Sequence, residues 1–308
     1  MRGGTHCPLR EGSMRRFHYL IPKTLDEAIS IVESYGERAK YIAGGTDLLV
    51  KIKEGKLRPD YLVSLKRIPG LDEVKWQGSL ESETRIGALV THRKLELSPV
   101  TRWHYPIIHD AVSNIGSVQI RNVATIGGNL VNAVPSADGA IPLVALDARV
   151  KIHGPKGERE MELLHFFLGP GQTVLERGEV LTEIILPPRN SRSGGAYIKF
   201  GRREAMELPI VGVGVVVELG PEGDVCAKAA IALGVAAPTP MRAFQAEKFL
   251  EGKEINEKTL DEAGRIAAEE SKVRDSVRGA AWYRRELVRV LVKRMGLKGL
   301  ERAKQAHR

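Results

Sequence analysis

Apolar residues recur at helical spacing near the start of the chain, and short strand-like runs follow. Residues 24–27 spell a capping box, Thr-Leu-Asp-Glu, ahead of apolar positions three and four apart, so we predict a helix there. Helical spacing returns at 92–97 and 102–115. Strands are predicted at 16–20, 40–43, 61–65 and 84–90. The first half therefore mixes helices and strands.

Strand patterns dominate the second half until about residue 240. After a helical stretch at 135–146, two runs flank the turn Gly154-Pro-Lys-Gly157 and predict a hairpin, which a strand at 179–186 follows. The residues from 187 to 195 are rich in Pro, Gly and Ser, so we place a domain boundary there. Beyond it, we predict an antiparallel meander at 196–201, 210–219 and 225–235, and helices at 241–251, 257–271 and 279–295.

The composition is that of a folded, soluble protein, with 43% hydrophobic and 28% charged residues. The longest weakly polar stretch, 209–219, is shorter than the roughly 20 residues of a membrane span, so none is predicted. Cys7 and Cys226 cannot form a disulfide framework or bind zinc or an iron–sulfur cluster. The N-terminus lacks the apolar core of a secretory signal. We therefore expect a cytoplasmic protein without a metal site, and we expect residues 1–13 to be a disordered extension.

Basic charge is concentrated at the end of the chain. The net charge is +9, and residues 284–308 hold nine Lys/Arg against two Glu. A nucleic-acid binder would spread basic groups over a folded face among aromatic residues, so no nucleic-acid partner is expected. A solvated helix face, or one that meets an acidic patch on a partner, explains the charge.

Two glycine segments share a design, Ala43-Gly-Gly-Thr-Asp47 and Thr125-Ile-Gly-Gly-Asn129. We interpret each as a β run that ends in a Gly-Gly turn, where consecutive amides can converge on a phosphate. Ordinary tight turns use the same residues, and Asp47 could equally cap the segment after it. Neither the Rossmann fingerprint nor a P-loop is present. The two segments together favour a clamp on one pyrophosphate.

An ordered set of motifs extends this observation over most of the chain. The first two are Tyr41-Ile-Ala-Gly-Gly-Thr-Asp-Leu48 and Gln119-Ile-Arg-Asn-Val-Ala-Thr-Ile-Gly-Gly-Asn-Leu130. The others are Pro135-Ser-Ala-Asp138, Ala145-Leu-Asp-Ala148, Ala232-Leu-Gly-Val-Ala-Ala-Pro-Thr-Pro-Met-Arg-Ala243 and Tyr283-Arg-Arg-Glu-Leu287. With these motifs the chain resembles, from about residue 14 to 296, the FAD-binding medium subunit of molybdenum hydroxylases. That family includes xanthine dehydrogenase and aerobic carbon monoxide dehydrogenase.

The resemblance implies an α+β fold and FAD as the cofactor. A two-lobed FAD-binding domain of the vanillyl-alcohol oxidase type would span 14–190, with lobes at about 14–70 and 71–190. A smaller C-terminal domain of sheet plus helices would span 191–308.

The resemblance also implies a set of FAD-binding positions. Residues 42–48 and 125–129 would wrap the pyrophosphate and ribityl region, and Asp138 would contact FAD as an acid. Ile115 and Leu181 would be apolar neighbours, and Lys199 a basic residue near the flavin. The implied set is Ile42, Ala43, Gly44, Gly45, Thr46, Asp47, Leu48, Ile115, Thr125, Ile126, Gly127, Gly128, Asn129, Asp138, Leu181 and Lys199. No catalytic residue and no metal ligand is assigned.

By the same resemblance, the chain is an oxidoreductase subunit that transfers electrons. A molybdopterin-containing large subunit would oxidise the substrate, a [2Fe–2S] small subunit would carry the electrons, and FAD would pass them to NAD⁺ or another acceptor. Leu208 stands where carbon monoxide dehydrogenases have a tyrosine and xanthine dehydrogenases an aliphatic residue. Two alternatives stay open: a stand-alone flavin oxidoreductase of the same fold, and a flavin-free assembly subunit with a basic docking helix.

Overall fold

The computed structural model describes residues 16–203, 205–221 and 223–305 as three main sheets with helices packed around them. The predicted mixture of helices and strands is confirmed. The predicted extension at 1–13, which includes Cys7, lies outside the described residues.

The first lobe is a three-stranded parallel sheet with two helices. Its elements are β1 (His18–Leu20), α1 (Leu25–Tyr35), β2 (Ala39–Ile42), α2 (Leu48–Lys53) and β3 (Tyr61–Ser64). β3 lies between β1 and β2, so β2 is an edge strand. Thr24 caps α1 by accepting a hydrogen bond from the Glu27 amide at 3.1 Å, while the Glu27 carboxylate accepts from the Lys23 amide. The predicted helix is confirmed, and its buried face packs on this sheet.

The second lobe is a five-stranded antiparallel sheet in the order β4-β5-β10-β6-β7. Its strands are β4 (Val74–Lys75), β5 (Thr84–Gly87), β6 (Arg149–Gly154), β7 (Gly157–Glu162), the small pair β8 (Phe167–Gly169) and β9 (Gln172–Thr173), and β10 (Val180–Leu186). Its helices are α3 (His92–Leu97), α4 (Pro106–Val112), α5 (Val118–Val123), α6 (Ile126–Val131) and α7 (Ala140–Ala145). The predicted hairpin at Gly154-Pro-Lys-Gly157 is confirmed as β6 and β7.

Two predicted helices of this lobe are shorter than their patterns. The stretch 102–115 is divided into a π-type turn, Val100–His104, and α4, because Tyr105 leaves the helical conformation and Pro106 starts a new helix. The stretch 135–146 is helical only in α7.

The second glycine segment is not the turn after a β run that its sequence predicted. It forms the first turn of α6, which Thr125 caps by accepting a hydrogen bond from the Gly128 amide at 3.1 Å. A Cβ on Gly127 would lie 2.6 Å from the Cβ of Ala88, so glycine lets this helix pack directly against the segment after β5.

The C-terminal region is an antiparallel sheet with three helices. It contains β11 (Ser193–Phe200), β12 (Val211–Leu219), β13 (Cys226–Gly234), β14 (Met241–Arg242), α8 (Phe244–Leu250), α9 (Glu257–Glu270) and α10 (Ala281–Gln305). The predicted meander and the three helices are confirmed, although α10 continues ten residues beyond the predicted end at 295. α9 and α10 share a core with the sheet, and α4 and α7 of the second lobe also contact it.

The basic end of the chain is largely tied into the fold. Arg302 of α10 pairs with Asp110 at 2.6 Å, Lys304 with Asp224 at 2.5 Å, and Lys293 with Glu257 at 3.3 Å. Much of the charge that suggested a docking face therefore holds α10 in place. Within the described ranges, none of the helices is both long and apolar enough to cross a membrane.

Candidate functional site

A cleft of about 530 Å³ opens where the two lobes meet β11 of the C-terminal sheet. Of the predicted site residues, fifteen line this cleft, and Ile126 does not. The Ile126 side chain is 1% exposed and belongs to the core of the second lobe. The structure therefore brings together residues that are up to 157 positions apart, from Ile42 to Lys199.

The first wall of the cleft is the loop from the end of β2 to the start of α2, residues 43–48. Within the described part of the chain, the amides of residues 44–48 donate to no protein acceptor. Gly45 has φ +78°, a conformation that favours glycine, and a Cβ on Gly44 would collide with the Val123 carbonyl. The first wall thus presents consecutive unpaired donors, an arrangement that suits an anion.

Asp47 and Lys51 connect this wall to the other side of the cleft. Asp47 makes no capping bond to α2; its Oδ1 accepts from Nδ2 of Asn132 at 2.9 Å. Lys51 Nζ donates to Oδ1 of the same Asn132 at 2.8 Å. Asp47 and Lys51 therefore both hold Asn132, and Lys51 brings a positive charge to the cleft.

The second wall is formed by α3, α5, α6 and the segment after β5, and the amides of its residues 126–129 are already paired. Ile126 N donates to Val90 O at 3.0 Å, Gly127 N to Ala88 O at 2.9 Å, and Asn129 N to Thr125 O at 3.0 Å. The Gly128 amide donates to the Thr125 hydroxyl. The amides of Gly127 and Gly128, which were expected to offer donors to a phosphate, therefore already donate within the protein.

What the second wall offers instead is polar side chains. Nδ1 and Nε2 of His92 and Oδ1 of Asn129 are buried, and none has a hydrogen-bond partner among the described residues. Burial and the charge of Arg121 lower the pKa of His92 to about 4. Sequence reasoning missed His92, because a histidine at the first position of a short helix carries no signal of burial.

A buried polar group closes the cleft beside β11. Asp138 Oδ1 accepts from the Tyr197 hydroxyl at 2.7 Å, and its Oδ2 accepts from Lys199 Nζ, also at 2.7 Å. Lys199 Nζ also donates to the Asn114 carbonyl at 3.2 Å. Burial raises the pKa of Asp138, against the opposing effects of Lys199 and Tyr197. Asp138 was expected to accept from the cofactor; each of its oxygens accepts one hydrogen bond from these neighbours and keeps a further lone pair.

Apolar side chains complete the lining. Ile115 and Leu181 lie there as predicted, together with Leu208, which is 46% exposed, and Met206, which is 59% exposed. A flat aromatic ring can lie against such surfaces without losing hydrogen bonds.

The residues present fit FAD in three respects. Unpaired amides and Lys51 suit its pyrophosphate, unpartnered polar side chains suit its hydroxyls and amides, and apolar residues suit its rings. The cleft volume also falls in the usual range for such ligands, about 300–1,000 Å³.

Two protein families match consecutive parts of the chain. The family described as "FAD binding domain in molybdopterin dehydrogenase" matches residues 15–189. The family described as "CO dehydrogenase flavoprotein C-terminal domain" matches residues 196–298.

Individual proteins are similar over nearly the whole chain. The nicotinate dehydrogenase FAD-subunit of Eubacterium barkeri is 32% identical, over 92% of this chain and 95% of its own length. The xanthine dehydrogenase FAD-binding subunit of Escherichia coli O157:H7 is 33% identical, over 88% and 92%. A chain of the carbon monoxide dehydrogenase of Hydrogenophaga pseudoflava superposes with a TM-score of 0.87 at 32% identity, over 94% of this chain and 99% of that one.

Proposed function

Because the chain belongs to the family of FAD-binding subunits of molybdenum hydroxylases, we propose that it is the electron-transfer subunit of such a multi-subunit enzyme. It is an oxidoreductase subunit, and its cofactor is FAD. We propose a molybdopterin-containing large subunit and a [2Fe–2S] small subunit as its partners, with NAD⁺ or another molecule as the final acceptor. Similar proteins named as FAD-subunits and medium chains support this assignment.

The first wall is the observation that carries the proposal. Residues 44–48 offer donors that no described acceptor uses, and Lys51 adds a cation to the same cleft. Such donors bind an anionic group strongly, because each hydrogen bond to a charged acceptor contributes about 1.5–3 kcal/mol. We therefore propose that this wall holds the FAD pyrophosphate.

The other predicted site residues also have roles in the proposed binding of FAD. Ile115 and Leu181 would exclude water from the ring system, and Lys199 would keep a positive charge in the cleft. Asp138 would position Lys199, and its remaining lone pairs would accept from the cofactor. The bound flavin itself supplies the redox chemistry, accepting and releasing electrons.

We propose the same division of the chain that its sequence predicted, an FAD-binding domain at 14–190 and a C-terminal domain at 191–308. The two family matches, which end at 189 and begin at 196, support it.

A titration of the purified, cofactor-free chain with FAD, FMN and riboflavin tests the role of the first wall. Riboflavin lacks both phosphates and the adenosine, so we expect it to bind about 100-fold more weakly than FAD, and FMN, which differs from riboflavin by one phosphate only, isolates the phosphate contribution. Fluorescence quenching of the flavin gives each dissociation constant. Equal affinities for FAD and riboflavin would contradict pyrophosphate binding by residues 44–48. A chain that never binds FAD, even with its partner subunits, would favour the assembly-subunit alternative.

Stopped-flow reoxidation tests the electron-transfer role. The FAD-loaded chain is reduced chemically without oxygen and then mixed with NAD⁺ or with a quinone. Rapid reoxidation by one of them identifies the acceptor class. Oxidation of an organic substrate by this chain alone would instead support the stand-alone oxidoreductase.

A further inference from the structure

His92 is a buried polar side chain without a hydrogen-bond partner. It is the first residue of α3, it is 1% exposed, and its backbone amide donates to the Ala124 carbonyl at 3.0 Å. Neither ring nitrogen has a partner among the described residues, and the residue lines the cleft. A buried group in this state costs free energy that a bound molecule can recover.

The charged groups around His92 do not supply the missing partner. Arg121 of α5 is 8% exposed; its Nε and Nη2 donate to Glu96, and its Nη1 donates to the Ile115 carbonyl. Glu96 also pairs with Arg93 at 3.0 Å. The two carboxylate oxygens of Glu96 are thus committed to arginines.

The protonation state of His92 limits what can bind it. The positive charge of Arg121 and the burial of the ring both oppose an imidazolium. A neutral imidazole has one donor and one acceptor nitrogen. A phosphate offers only acceptors and would favour the imidazolium, whereas a hydroxyl group can donate and accept.

We propose that a hydroxyl group of bound FAD, on its ribityl chain or its ribose, completes the hydrogen bonding of the His92 ring. This inference rests on the proposed function. The ring has no partner among the described residues, and a change of its rotamer toward the cleft would bring a nitrogen within reach of a bound molecule. His92 is then a binding residue of the second wall, complementary to the amides of the first wall.

His92→Leu tests the inference, because it should have effects of opposite sign on two measurements. The variant removes an unsatisfied polar group, so the cofactor-free chain should melt about 2 °C higher. It also removes a hydrogen bond to the ligand, so the dissociation constant for FAD should rise about tenfold. His92→Gln, which keeps a donor and an acceptor, should stay within about threefold of the original chain. His165→Leu, at a side chain that is 69% exposed, is the matched control and should change neither measurement.

Partial ligands identify the hydroxyl. If His92→Leu weakens riboflavin as much as FAD, the ribityl chain is the partner; if it weakens ADP instead, the ribose is. Unchanged affinity for FAD, riboflavin and ADP overturns the inference. A different result would contradict the proposed function, namely failure of the original chain to bind FAD.

NMR of the original chain provides a measurement that does not depend on a variant's folding. With ¹⁵N-labelled histidine, FAD should shift the ring nitrogens of His92 and leave those of His165 unchanged. A saturating titration that leaves the His92 nitrogens unshifted would also overturn the inference.

Discussion

The two walls of the cleft contain similar glycine pairs but differ in whether the backbone amides beside them are hydrogen-bonded. In the first wall, the amides of residues 44–48 have no protein acceptor within the described ranges. In the second, the amides of residues 126–129 all donate to protein oxygens, whereas the buried side-chain atoms of His92 and Asn129 have no partner among the described residues. A glycine pair thus does not reveal whether its amides are available.

The neighbours of each glycine pair explain the difference. Gly44 and Gly45 follow β2, an edge strand, so the chain leaves the sheet without a neighbouring strand on one side. The segment before Gly127 lies alongside the segment after β5, and Thr91 and Thr125 form an antiparallel bridge there. The carbonyls of Ala88 and Val90 therefore accept from the amides of Gly127 and Ile126, whereas the amides of residues 44–48 have no acceptor among the described residues.

Acid should lower the free energy of unfolding of the cofactor-free chain through His92, and this is the largest effect we expect. The pKa of His92 is lowered from 6.5 to about 4, so below pH 6.5 the unfolded chain binds a proton that the folded chain does not. This contribution to stability is complete above pH 6.5 and is lost as the pH falls toward 4. The loss should reach about 3 kcal/mol. Urea unfolding of the cofactor-free chain between pH 7 and pH 4 measures it.

The difference between the original chain and His92→Leu isolates this contribution, because carboxylates with lowered pKa values, such as Glu96 and Glu179, weaken both proteins in acid. Parallel pH curves for the two proteins would show that His92 does not titrate as described.

Gly45→Val should nearly abolish anion binding by the amides of the first wall. Valine is strained at φ +78°, and its Cβ would lie 3.1 Å from Cδ1 of Ile42, so the amides must turn away. We expect FAD affinity to fall about 100-fold, which corresponds to one or two lost hydrogen bonds to a charged group. Riboflavin affinity should stay the same. Fluorescence titration with both ligands provides the comparison.

Gly78→Val is the matched control for backbone strain. Gly78 has φ +83° with nothing within 4 Å of its Cβ position, and it does not line the cleft. The control should lose stability and keep its FAD affinity. An equal loss of affinity in both variants would mean that strain, rather than the amides of the first wall, accounts for the effect.

Gly128→Ala should have the smallest effect on binding, because the Gly128 amide is already paired and the residue is helical. We expect FAD affinity to change less than about threefold. Two effects on stability oppose each other. Alanine favours a helix more than glycine does, but its Cβ would lie 2.8 Å from the Thr125 hydroxyl and crowd it. Calorimetric titration with FAD checks the prediction. A loss as large as that of Gly45→Val would show that the second wall holds phosphate after all.

Local patterns in the sequence determined most of the elements, and the family resemblance indicated many residues of the cleft. The capping box at Thr24, the hairpin at Gly154-Pro-Lys-Gly157 and the meander are set by side-chain periodicity and turn residues, which act over a few positions. The resemblance to a known family also implied fifteen residues that line one cleft. The exception, Ile126, lies within a motif while its side chain faces the core.

Only the tertiary structure decided which groups in the cleft are free. Hydrogen bonds from Gly127 to Ala88, or from Lys199 to Asp138, join segments that lie far apart in the chain, and no local pattern records them. The burial of His92 likewise comes from α5 packing against α3. The sequence could therefore indicate which residue types surround the cofactor. Whether each donor is already used depends on neighbours that only folding brings together.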